Sequence, residues 1–88
     1  MTCKAHLIVP GTRVIITNIA GYQFGPFVLM KTPEGFNEVF TPEDGASLEI
    51  LSLPSRYYGE QIVKIRYKNT DMYALFTHVR RQTTPYFR

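Results

Sequence analysis

Tryptophan is absent from this chain, cysteine occurs once, at Cys3, and histidine only at His6 and His78. A single cysteine cannot close an internal disulfide, which removes the class of small scaffolds stapled by cystines. Cys3, His6 and His78 also fall short of a zinc ligand set, which takes four ligands or three plus water, so no metal is expected. No apolar run approaches the ~20 residues needed to span a bilayer. The short run Leu7 to Val9 is too brief for the core of a signal peptide, so the expectation is a soluble, cytoplasmic chain with no membrane partner. Catalytic signatures are missing too. Ser47, Ser52 and Ser55 have no histidine nearby in sequence and no nucleophile-elbow glycines. The loop Gly21-Tyr22-Gln23-Phe24-Gly25 lacks the lysine and following helix of a phosphate cradle. The acids Glu34, Glu38, Glu43, Asp44 and Glu49 fall in and beside turns, where solvated carboxylates do no acid–base work. Neither catalysis nor a cofactor is expected.

What is present describes a packed β domain. The 88 residues are 44% apolar, with six tyrosines and six phenylalanines, enough for one core and one domain spanning 1–88. Proline and glycine recur at short intervals, at Pro10-Gly11, Gly21, Gly25-Pro26, Pro33, Gly35, Pro42, Gly45, Pro54 and Gly59. Between them lie runs rich in Val, Ile, Phe, Tyr and Thr, the pattern of an antiparallel all-β fold. Strands are predicted at about 12–18, 27–31, 36–41, 46–53, 61–68 and 72–79. Thr32-Pro33-Glu34-Gly35 and Thr41-Pro42-Glu43-Asp44-Gly45 read as turns joining the second, third and fourth of these into a meander. Val14, Ile16, Val28, Val39, Leu48, Ile50, Val63 and Ile65 are the expected core. Helix is confined to Thr77 to Gln82, a single turn at most. Gly21 to Gly25 and Leu53 to Gly59 read as the long loops, and 83–88 as a C-terminal tail.

The order of these parts resembles an SH3-like small barrel of five or six antiparallel strands, over about residues 10–82. Pro-Gly-Thr-Arg-Val-Ile-Ile is similar to the opening strand of such barrels, followed by a long first loop. The hairpin from Val63 to Phe76 is similar to their late hairpin, and Thr-His-Val-Arg-Arg to the turn that closes them. The resemblance is one of pattern, and such barrels serve many functions.

Charge is divided along the chain. From Gln61 onward there are six bases (Lys64, Arg66, Lys68, Arg80, Arg81, Arg88) against Asp71; before it, four bases face six acids. Lys64, Arg66 and Lys68 alternate with Val63, Ile65 and Tyr67, which places the bases on one side of a strand. With Tyr73 and the arginines Arg80 and Arg81, they form a candidate surface for nucleic acid or another anionic, phosphate-bearing ligand. The bland alternative is a strand face kept charged against edge-to-edge pairing. The turn decides which side Tyr73 joins. An Asn69-Thr70 loop puts Tyr73 and Leu75 beside the bases, and a three-residue loop through Asp71 puts Ala74 and Phe76 there. Tyr22, Phe24, Tyr57 and Tyr58 are a candidate aromatic pocket of the kind peptide-binding domains use. The expected function is a non-enzymatic binding module with nucleic acid as leading partner. The rival is a protein–protein module, an accessory or inhibitory chain of the sort bacterial viruses encode, that docks on a larger target. The acidic and basic poles would also allow a homo-oligomer.

Overall fold

In the computed structural model, residues 8–17, 27–33 and 39–86 are described, and they form mostly antiparallel β-sheet with one short helix. The strands are β1 (Arg13–Ile16), β2 (Leu29–Met30), β3 (Val39–Phe40), β4 (Ser47–Ile50), β5 (Ser55–Tyr57), β6 (Glu60–Tyr67), β7 (Thr70–Leu75) and β8 (Thr83–Pro85), with α1 at Phe76–Gln82. Their order in the sheet is β3-β2-β7-β6-β4-β1-β8, with β5 added to β6, and no pairing among the described residues joins β3 to β8. The strand path is therefore open.

Alternation drives the three long pairings. In β1, Val14 and Ile16 turn inward while Arg13 faces water; in β4, Leu48 and Ile50 do the same beside Ser47 and Glu49. In β6 the inward set is Val63, Ile65 and Tyr67, opposite Ala74 and Met72 of β7. Six of the eight expected core residues, Val14, Ile16, Leu48, Ile50, Val63 and Ile65, are buried. The other two are not. Val28 is half-buried, its neighbours Phe27 and Leu29 taking the core positions, and Val39 is 45% exposed on the end strand.

Two segments read as irregular are paired. Residues 55–57, expected in a loop, form β5, which folds back on β6 through Tyr58-Gly59. Residues 83–85, expected in a tail, form β8 against β1, with Val14 opposite Pro85. The expected meander stops at β2–β3. β4 leaves β3 and pairs with β1 and β6, because the turn at Glu43-Asp44-Gly45 hydrogen-bonds to Ile16 of β1 instead of closing a hairpin. Gly45 has φ +85° there, the conformation a turn glycine supplies.

The last expected strand, 72–79, ends at Leu75, and α1 runs for seven residues, about two turns rather than one. No side chain caps its start. Packing holds it: Val79 joins the main core, His78 lies against Phe27, and the Thr83 hydroxyl donates to the Val79 carbonyl at its end.

Candidate functional site

The β6–β7 hairpin turns through Lys68-Asn69, not through Asn69-Thr70 or a three-residue loop. Tyr67 lies opposite Thr70, Arg66 opposite Asp71 and Lys64 opposite Tyr73. Lys68 (φ +49°) and Asn69 (φ +64°) both take the left-handed conformation of a two-residue type I′ turn, the form whose twist suits a hairpin. The facing is that of the shorter-loop expectation: Tyr73 and Leu75 share the outer side with Lys64 and Arg66, and Met72 and Ala74 point inward. Lys68, however, belongs to the turn, so only Lys64 and Arg66 stand on the strand itself.

Acids answer these bases. Arg66 Nε donates to Asp71 Oδ1 at 3.2 Å, and Lys64 Nζ stands 3.8 Å from Asp71 Oδ2. On the other flank Arg66 lies 3.9 Å from Glu49 of β4, and Lys68 Nζ lies 3.1 Å from Glu43. Glu49 is also the cross-strand partner of Arg13. Across β1, β4, β6 and β7 the outer face thus reads Arg13, Glu49, Arg66, Asp71, signs alternating strand by strand. The acidic and basic poles of the sequence meet within one chain. Glu43, hydrogen-bonded to the Lys68 ammonium, raises its pKa above the ordinary 10.5, with a smaller push from Tyr67, whose ring lies 5.3 Å from Nζ.

The remaining candidates are dispersed. Arg80 and Arg81 are exposed on α1, beyond the far end of β7, about 17 Å along that strand from the Lys68 turn. Tyr57 and Tyr58 are exposed at the start of β6, and Tyr22 and Phe24 lie outside the described residues. Cys3 and His6 lie outside them as well. Among the described residues no group of His, Cys, Asp and Glu is arranged to hold a metal ion, and no helix is long and apolar enough to cross a membrane.

A feature that the sequence reading did not single out lies beside the hairpin turn. Lys31, Val39, Phe40, Tyr67, Lys68, Thr70 and Met72 line a groove of about 580 Å³. Leu29 pairs with Phe40 and Ala74, so Phe40, Met72 and Tyr67 belong to the inward side of the sheet. The groove is the open end of the core face, left uncovered by the described residues where β3 ends the strand order. Phe40, 41% exposed, tilts against Tyr67 with centroids 5.6 Å apart. A second, smaller cleft of about 280 Å³ lies across the turn, lined by Arg13, Arg66 and Lys68 with Glu43 among them. Comparison with protein-family models, curated proteins and solved structures finds no match for this chain.

Proposed function

We propose that the chain is a non-enzymatic binding module of SH3-like architecture that docks on protein through the groove beside the β6–β7 turn. The path β8-β1-β4-β6-β7, the long excursion between β1 and β4, the late hairpin and the short helix before β8 follow the order of such small barrels, which supports the architectural reading. One observation carries the functional reading: the apolar side chains Val39, Phe40 and Met72 line a groove that no described residue covers, while each hairpin base already faces a carboxylate. Burying such a patch on a partner releases water from apolar surface. A polymer of phosphates would first have to displace Asp71, Glu49 and Glu43.

Selection of displayed random peptides on the immobilised chain tests this. Peptides carrying large apolar residues should enrich on the parent and lose binding to the exposed-site variant Val39→Asp and to Phe40→Ser. Enrichment indifferent to both substitutions would refute the groove as the docking surface.

The nucleic-acid reading keeps one specific support, the smaller cleft, where Arg13, Arg66 and Lys68 outnumber Glu43. Titration with short single- and double-stranded oligonucleotides at low salt decides between the two. A log K slope of about −4 to −5 against log salt, the response to roughly five neutralised phosphates, would restore nucleic acid as the partner.

A further inference from the structure

Resting on the groove as a docking surface, we propose that its occupant is a second copy of this chain. The tip of the β5–β6 hairpin of one molecule seats in the groove of the next. Tyr58 occupies the first position of that two-residue turn with φ +50°, ahead of Gly59 at φ +85°. A bulky aromatic in the left-handed region is a genuine outlier, since asparagine is the residue that fits there at least cost. The residue is 82% exposed, so its ring gains no burial among the described residues in return for the strain. The turn is pinned by Arg56, whose guanidinium donates to the Gly59 carbonyl at 3.2 Å. Tyr57, the last residue of β5, adds exposed apolar surface beside the turn. The tip is a rigid aromatic projection with no packing role in its own fold.

The groove suits such a projection. Phe40 and Tyr67 offer ring faces and edges, Met72 an adaptable thioether, and Thr70 a hydroxyl for the phenol. One charge pair is complementary as well. Lys31 on the groove rim is exposed and without an ion pair among the described residues, Lys68 being held by Glu43. At the tip, Glu60 stands opposite Tyr57, likewise exposed and without an ion pair among the described residues, while the neighbouring Arg56 guanidinium is turned to the Gly59 carbonyl. Tip and groove lie at opposite ends of β6, separated by about 23 Å of strand, so a molecule does not fill its own groove with its own tip. A tip in a groove joins two unlike surfaces, so the contact either repeats head to tail or closes as a reciprocal pair. One tip in one groove buries much less than the ~1,200 Å² of a stable interface, so each contact is weak and assembly rises with concentration.

Light scattering and sedimentation velocity of the purified chain, from micromolar to millimolar, test this. The parent should associate with rising concentration, stopping at dimer if the exchange is reciprocal and growing past it if the contact repeats head to tail. Tyr58→Asn should stay monomeric while melting about 4–8 °C higher, because the turn strain is relieved. Lys31→Glu, on the exposed rim, should stay monomeric with unchanged melting. An equimolar mixture of the two variants should form a one-to-one dimer and nothing larger, since each supplies the part the other lacks. A parent that remains monomeric at millimolar concentration overturns self-assembly and leaves the groove to the peptide selection. Assembly that persists in Tyr58→Asn alone, or a mixture that stays monomeric, overturns it equally.

Discussion

Replacing Asp71 with asparagine preserves the shape of the side chain and removes the one charge that faces two bases of the hairpin. Asp71 accepts from Arg66 at 3.2 Å and lies 3.8 Å from Lys64, and all three side chains are 41–46% exposed. Exposed ion pairs contribute about 0.2–1 kcal/mol each, so two together would contribute about 0.4–2 kcal/mol. With nearly half of each side chain in water, the expectation lies in the lower part, about 0.5–1 kcal/mol. In a domain of this size that lowers the melting temperature by about 2–8 °C. Salt supplies the internal check, since the screening length falls from about 10 Å at 0.1 M to about 3 Å at 1 M. The deficit should shrink towards zero across that range. The same substitution leaves Arg13, Lys64, Arg66 and Lys68 facing only Glu43 and Glu49, so binding of duplex oligonucleotide should strengthen. The assay is a pair of thermal melts at low and high salt beside an oligonucleotide titration. Unchanged melting at low salt, or a deficit undiminished at 1 M, would refute the alternating charges as a stabilising feature.

Ile65→Ala removes a fully buried side chain and should cost about 2–5 kcal/mol in urea unfolding; a variant melting within a degree or two of the parent would place Ile65 outside the core. Changing Lys64 and Arg66, which do not line the groove, together to glutamine should leave the groove's peptide binding intact, and its loss would show that the charged face takes part in docking. The Lys68 ammonium should titrate above 10.5 by NMR and return towards that value in Glu43→Gln. Because its folded pKa is raised, the Lys68 side of the clasp with Glu43 is intact from neutral pH to 10.5 and is lost as pH climbs through the folded value; release between pH 7 and 10.5 would contradict the geometry.

The sequence made the architecture legible wherever a strand was long enough to carry a period. Val14 with Ile16, Leu48 with Ile50, and Val63 with Ile65 alternate against polar neighbours, and each pair is buried. Leu29–Met30 and Val39–Phe40 are two-residue strands, too short for a period to separate an inward from an outward residue, so the apolar runs around Val28 and Val39 do not reveal which residue is inward. The hairpin register was hidden because Lys68-Asn69 lacks the glycine that usually marks a type I′ turn, and β5 was hidden because Tyr58 disguises another. Of the basic strip, the shared face of Lys64 and Arg66 was legible, while Lys68 falls in the turn. The acids that answer it were not, because Glu43 and Glu49 reach it only through the pairing of β4 with β6 and the turn before β4. The groove escaped for the same reason: its residues come from Lys31 just past β2, from β3, β6 and β7, and from the turn, and only the fold assembles them.

The pairing of Val14 with Pro85 sets an order of events in folding. The β6–β7 hairpin closes over two residues and should form in microseconds, with Ile65 and Met72 making early contact. β1 finds its partners only across long stretches of chain: Leu48 from β4 and Pro85 from β8. Closing such loops comes late and slows the whole reaction towards the millisecond-to-second range. Substitutions at Ile65 should therefore slow folding, whereas those at Val14 should mainly speed unfolding. The strand nearest the start of the sheet's sequence is thus among the last to lock, and the molecule's lifetime once folded depends on it.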